Sequence, residues 1–449
     1  MPLGSSGLEN GMKKILLFTS ILAFSMGGLV LAEEATLSVE DVTGPNPKLV
    51  QPVKSLIPTV KIAKAIGWQN GEKPKAAKGF AINVFAKELD HPRWIYTLPN
   101  GDVLVAESNK PPKGEDGRSI KGFVQGKVMK RAGAGTESAN RITLLRDADK
   151  DGVAEIKTVF LKDLYSPFGM ALVGDNFYVA NADAIVRFPY NQGETEIKAT
   201  GIKVTDLPGG PRNHHWTKNI VASEDGKYLY VSVGSNSNVA ENGMKEEEGR
   251  AAIWRVDLAK GSKELFATGL RNPVGMDFQP SSKELWTVVN ERDELGSDLV
   301  PDYMTSVKEN GFYGWPYSYW GQHVDERVEP QNPDLVAKAI KPDYALGPHT
   351  ASLGLTFYDG KAFPKEYQNG AFIGQHGSWN RNPPSGYKVV FIAFKDGKPV
   401  GMPKDILTGF LDEEGNAQGR PVGVEINKNG DLLVADDVGN IIWRVTPSQ

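Results

Sequence analysis

The chain has 449 residues, with 51 Lys and Arg against 55 Asp and Glu, a formal charge of −4 and no Cys. So even a balance excludes the basic face that nucleic acid or an anionic membrane surface requires. The lack of Cys excludes disulfides, thiolate metal sites, a lipoprotein anchor and covalently attached c-type haem.

Residues 1–11, MPLGSSGLENG, read as an added or start-site extension. Met12, Lys13 and Lys14 then open a basic region followed by the apolar run ILLFTSILAFSMGGLVLA, with Val30 and Ala32 at the small-residue positions of a cleavage site. This pattern predicts a signal peptide over 12–32, a mature start near Glu33 and a periplasmic or secreted protein. No second long apolar segment follows, so no stable membrane anchor is expected. Residues 33–78 are rich in Lys, Pro and Ala with weak periodicity, which predicts a lead-in segment wrapping the domain.

From 79 to 449 one phrase recurs: a short apolar β run, a polar turn, and a second apolar run. Copies begin at His91 (HPRWIYTLPNGDVLVAE), Ser166 (SPFGMALVGDNFYVAN), His215 (HWTKNIVASEDGKYLYVSVG), Arg271 (RNPVGMDFQPSSKELWTVVN), Thr350 (TASLGLTFYDG, then NGAFIGQH) and Gly419 (GRPVGVEINKNGDLLVADD). Alternating apolar runs bounded by turn residues are strands, and a phrase repeating at tens of residues marks a propeller or solenoid. The turns are 52 to 87 residues apart, whereas four strands need about forty. The excess belongs in loops, which on one face of a propeller converge on the central channel. The predicted fold is all-β, a six-bladed β-propeller in one domain.

Between the first two copies lies RDADKDGVAE, in which Asp147, Asp149 and Asp151 alternate, Gly152 permits a sharp turn and Glu155 takes position nine. This is a calcium-loop spacing, although position twelve is Thr158 and no helices flank it; a structural calcium ion or an empty acidic hairpin turn both fit. In the third copy His214 and His215 adjoin on an extended chain, so only one of them can point into the channel. The fourth copy starts with Arg271, a permanent cation with a planar fork, and Asn272, which is both donor and acceptor. GFYGWPYSYWG crowds six aromatic residues, from Phe312 to Trp320, into nine positions, available for stacking on a ring-shaped ligand or for packing between blades.

The His-bearing third copy, GLRNPVGM, NERDELGSDLVPDYMTSVKENGFYGWPYSYWG and GQHGSWNRNPPSGYKVVF together resemble the soluble pyrroloquinoline quinone (PQQ) dependent sugar dehydrogenases, most closely their sorbosone dehydrogenase-like branch. The resemblance runs from about Gly79 to the C-terminus and implies six blades independently of the repeat count. It implies that His215 is the general base, taking the anomeric hydroxyl proton as hydride moves to the C5 carbonyl of PQQ. Arg271 would stabilise charge on the quinone oxygen, and Asn272 would bond the cofactor. The family's calcium ion sits on two consecutive backbone carbonyls, which here fall at Glu291 and Arg292 after Asn290 in place of a Gly-Pro step; Asp293, Glu294 and Asp298 lie close by.

For the cofactor carboxylates, Arg420 matches the first of two sixth-blade Arg residues and the second falls at Val422. The family's fifth-blade Lys falls near Gly377, leaving Arg381, or Lys388, as the substitute, with His376 lining the channel. The implied substrate is an aldose or a sugar aldehyde such as sorbosone, and electrons pass to a separate cytochrome or quinone. Two readings of other classes stay open: a calcium-dependent lactonase propeller, and a propeller that binds sugar or protein without catalysis.

Overall fold

The structure is a computed structural model and describes residues 33–53, 59–112, 131, 133 and 135–448. The extension at 1–11 and the expected signal peptide at 12–32 lie outside the described residues. Six sheets of four or five strands follow one another along the chain, as the repeat count predicts. Their innermost strands are Pro92–Thr97, Met170–Val173, Ile220–Ala222, Pro273–Phe278, Ser352–Tyr358 and Pro421–Ile426. Each is the first apolar run of a repeat copy, and the second run is the strand beside it.

Closure joins the two ends of the propeller. Phe80–Ala86 forms the outer strand of the sixth blade, pairing antiparallel with Ile441–Pro447 in a register that sets Val84 opposite Trp443. Upstream, the lead-in adds Thr43–Gly44 to the fourth blade and Lys75–Ala76 to the fifth.

Neighbouring innermost strands approach so closely that a side chain would not fit between them. A Cβ on Gly275 would meet the Leu353 carbonyl and the Leu355 amide at 2.7 Å, and one on Gly423 would meet the Arg93 carbonyl at 2.8 Å. Real Cβ atoms do not come so near backbone, so the Gly in GMDF and GVEI is required by packing. Side chains stitch the remaining seams: Leu172 N–H donates to Tyr96 Oη (3.0 Å), Asn219 Nδ2 to the Val274 carbonyl (3.0 Å) and Phe357 N–H to Asp277 Oδ2 (2.7 Å).

One residue from each blade meets at the centre: Trp94, Phe168, Trp216, Val274, Leu353 and Val422 belong to one buried cluster. The Trp94 and Phe168 rings lie 4.8 Å apart, and Phe168 meets Trp216 edge to face at 6.1 Å. These side chains pack as one apolar plug, each large one contributing about 1.5–3 kcal/mol on burial. It also explains Val422. An Arg there would place a guanidinium inside the plug, and Val422 is fully buried.

Candidate active site

Polar residues stand one or two places before the plug positions: Arg93 precedes Trp94, His215 precedes Trp216, Asn272 and Pro273 precede Val274, and Arg420 and Pro421 precede Val422. At Arg93 and His215 the alternation of a strand start puts one side chain in the plug and the preceding one away from it, whereas Asn272 and Arg420 stand two places ahead, before Pro273 and Pro421.

His215 is held at two points. Its Nδ1 donates to the Ser235 carbonyl at 2.8 Å, with Ser235 Oγ at 3.0 Å, while that hydroxyl donates to the Ser237 carbonyl (2.7 Å). A carbonyl can only accept, so Nδ1 carries the proton and Nε2 keeps its lone pair. Burial, then His214 and Arg271, pushes the pKa of His215 well below its usual value. His214 meets His215 edge to face at 4.7 Å and is lowered to about 4 by burial, Lys110 and Arg271. Both imidazoles are neutral near pH 7.

Ser235 also joins blades, because its N–H donates to the Arg271 carbonyl (2.7 Å). Buried Arg271 donates from Nη1 to the Glu291 carbonyl (2.6 Å), from Nη2 to Asn238 Oδ1 (3.0 Å) and Asp293 Oδ2 (3.3 Å), and from Nε to the Asn238 carbonyl (3.2 Å). Asp293 further accepts from Asn380 Nδ2 (2.8 Å), and His349 Nδ1 stands 3.6 Å away. Burial raises the Asp293 carboxyl, but His349 and Arg271 outweigh it and hold it below the usual range.

A second group forms around Asp437, a residue the sequence analysis does not single out. Its carboxylate accepts from Arg93 and from His376 Nε2 (3.0 Å), with His91 Nε2 at 3.6 Å, while His91 Nδ1 donates to its carbonyl (3.0 Å). His376 is lowered to about 4, chiefly by burial. Arg420 lies over the Tyr387 ring at 5.1 Å and donates to Tyr387 Oη (3.2 Å) and the Ala63 carbonyl (3.4 Å). The loop from His376 to Asn380 links this group to the one around Asp293.

Four expected site residues have side chains with other tasks in the structure. Arg381 pairs with Asp298 (3.3 Å) and donates to the Ser297 and Pro383 carbonyls, and Asp298 in turn accepts from Thr36 and Leu37, so Arg381 secures the lead-in rather than facing a ligand. The Glu291 side chain accepts from Arg292 Nε (3.0 Å), and fully buried Arg292 reaches Asp325 (3.2 Å) and the Pro316 and Ser318 carbonyls, tying down the aromatic segment. The side chains at the expected calcium step thus point into packing, and the Glu291 carbonyl already accepts from Arg271. The aromatic segment is also largely packing, with Tyr313, Trp315, Tyr319 and Trp320 buried. Lys388 pairs with Asp405 (2.7 Å) on an outer strand.

The acidic loop draws Asp147, Asp149, Asp151 and Glu155 together with one ligand oxygen of each within 4.8 Å of the others. It is the single such group among the described residues. Gly152 makes the turn at φ +94°, where the Arg444 guanidinium leaves no room for a Cβ.

Arg93 could have been suspected from its place at the start of the first copy, matching that of His215 in the third. Asp437 carries no such signal, since its partner Arg93 lies 344 residues away.

The TrAA12-like family profile matches residues 136–311 and 322–448. An uncharacterized protein of Borreliella burgdorferi is 33% identical over 382 residues, covering 83% of this chain and 90% of its own. A pyrroloquinoline quinone-dependent pyranose dehydrogenase of Coprinopsis cinerea is 22% identical over 430 residues, covering 82% of this chain; the match spans 54% of that longer protein. The calcium structure of the Trichoderma reesei carbohydrate-active enzyme of family AA12 superposes with a TM-score of 0.67 at 19% identity, covering 87% of this chain and 99% of its own. The profile spans most of the propeller, from the first blade to the C-terminal strand, and the chain belongs to the TrAA12-like family.

Proposed function

We propose that this protein is a periplasmic or secreted quinoprotein that oxidises an aldose or a sugar aldehyde, of which sorbosone is one example, to a lactone or acid. The reduced cofactor then passes its electrons to a separate cytochrome or quinone. The observation that carries the reading is the tautomer of His215: Nδ1–H is committed to the Ser235 carbonyl, leaving a neutral imidazole whose Nε2 takes no partner among the described residues. That is the state a general base needs before it removes a hydroxyl proton.

The donor set fits PQQ, a planar tricarboxylate. Nε of Arg93, Nε of Arg420 and Oδ1 of Asn272 are all buried with no partner. Two orphaned guanidinium donors and an amide acceptor cost folding free energy unless a ligand satisfies them, and forked guanidinium donors suit carboxylates. Arg93, Arg420 and Asn272 would hold the cofactor, with Arg93 in place of the Arg missing at Val422. When bound, PQQ supplies the hydride acceptor. The chain's own residues do the rest. His215 Nε2 accepts the substrate proton, Arg271 holds a positive charge at the blade junction beside it, and the buried plug of Trp94, Phe168 and Trp216 gives the site an apolar floor.

Calcium is the second cofactor of this reading, with the Asp147 to Glu155 loop as its structural site. Adding calcium to the metal-free protein is expected to raise the melting temperature, and Asp149→Asn with Asp151→Asn to abolish that rise. An equal rise in the double variant would remove the loop from the reading.

Direct titration of purified protein with PQQ and calcium, followed by dye reduction with a panel of aldoses and sorbosone, tests the function. Arg420→Ala is expected to weaken PQQ binding by roughly tenfold to a hundredfold, from the loss of a charged hydrogen bond of about 1.5–3 kcal/mol. Absence of PQQ binding would sink the quinoprotein reading, lactone hydrolysis with calcium alone would replace it with a lactonase, and neither activity would leave a binding propeller.

A further inference from the structure

Lys218 is fully buried, and among the described residues no carboxylate pairs with it. It lies three residues after His215, at the start of the third blade's inner strand. Its side chain folds back under the loop it has just left. Nζ donates to the His215 carbonyl (3.3 Å), the Trp216 carbonyl (3.2 Å) and Asn213 Oδ1 (3.4 Å). An ammonium has three protons, and here it has three acceptors, all on residues 213–216.

The loop is gripped from its far side as well. Arg250 Nη1 donates to the same Asn213 Oδ1 (3.1 Å) and Nη2 to the Gly209 carbonyl (2.6 Å), while Asn213 Nδ2 donates to the Ala182 carbonyl (3.1 Å). Two cations therefore share one amide oxygen, and burial with the nearby Arg250 charge pushes the pKa of Lys218 well down. A fully buried Lys flanked by a second cation is an expensive way to fill space, since an apolar side chain of the same length would pack there without desolvating a charge. What an apolar chain cannot do is fix the His215 carbonyl.

We infer that Lys218 is a positioning residue: it anchors the backbone of the 213–216 loop so that the His215 ring keeps Nδ1–H on the Ser235 carbonyl and its Nε2 lone pair at the rim of the plug. The ring is held on one side by Ser235 and its own carbonyl on the other by Lys218, which leaves His215 one orientation. The inference rests on His215 as the base, yet the geometry it explains exists without substrate or cofactor.

The test is ¹⁵N NMR of the imidazoles in the cofactor-free full chain, which has 6 His, with His215 assigned by its loss in His215→Ala. Wild type should show the pure Nδ1–H tautomer at His215. Lys218→Met, which keeps the length and removes the donors, should shift both His215 nitrogens toward a mixture of tautomers. In the loaded enzyme it should lower kcat roughly tenfold to a hundredfold, as expected for a displaced catalytic group, with KM within about twofold. A folded Lys218→Met protein with unchanged His215 nitrogens overturns the inference. Should that variant fail to fold, Asn213→Ala decides, a smaller shift in the same direction supporting the anchor and unchanged nitrogens overturning it. The spectrum is read without turnover, so an inactive wild type would sink the proposed function and leave this result standing on its own.

Discussion

His215→Ala is expected to lower kcat by about 10²–10⁴-fold, the usual contribution of a positioned general base, while PQQ binding stays within a few-fold. The separation follows from the site's division of labour. The orphaned donors suited to carboxylates belong to Arg93 and Arg420, and His215 is held by Ser235. The pH profile supplies a second reading of the same assignment. A base works when neutral, and burial, His214 and Arg271 lower the pKa of His215, so kcat/KM should stay flat as pH falls through 6.5 and decline only at more acid pH. An acid limb at the ordinary imidazole value would point to a different, better solvated base. Retention of full activity in His215→Ala would remove it from the mechanism altogether, and His214→Ala is the natural comparison, since that ring lies 4.7 Å away.

Asp437→Asn is expected to destabilise the fold by about 3–5 kcal/mol, the cost of removing one partner from a buried charge pair. Asp437 is 4% exposed and, among the described residues, is the one carboxylate bonded to Arg93, His376 and, more distantly, His91. Burial would raise its pKa, yet His376, His91 and Arg93 hold the carboxyl far below the usual range. Without the charge, Arg93 keeps no anionic partner among the described residues. Urea denaturation at pH 7 measures the loss, and a change below about 1 kcal/mol, the value of an exposed pair, would show that water reaches the cluster.

Two buried histidines, His376 in this cluster and His214 beside His215, oppose folding in acid. His376 and His214 have folded pKa values of about 4 against an unperturbed value of about 6.5. Between those values the unfolded chain protonates both rings and the folded one neither, so these two groups lower stability as pH drops from 6.5 toward 4, while Asp277 and Glu425, whose carboxyls burial raises to about 7 and about 8, act in the opposite direction.

Much of the scaffold is legible in the amino-acid order. A blade's inner hairpin is local, so its apolar alternation and its turn occur within some twenty residues and repeat visibly. His215, Arg271, Asn272 and Arg420 were also accessible, because each occupies the start of a repeat copy, where an Arg, Asn or His stands out from the apolar strand that follows. The acidic loop was legible for the same reason: its four carboxylates lie within nine positions.

Arg381 shows where that legibility stops. Its place in the fifth-blade loop suggested a ligand contact, but the lead-in returns across the loops and brings Thr36 and Leu37 onto Asp298, so Arg381 becomes part of a strap. The Arg292 side chain is placed in the same way, since its partner Asp325 lies 33 residues later.

Sequence by itself determined the number of blades, the β class and the residue types offered at each strand start, because those depend on periodicity over short range. Only the tertiary structure decided which offers meet. Closing six inner strands into a ring puts Val422 in the plug, sets Arg93 and Asp437 together across 344 residues, and turns His215 so that one nitrogen is committed to Ser235 and the other meets no partner among the described residues. Those outcomes are fixed by packing between blades, where a single side chain's surroundings come from several distant segments at once.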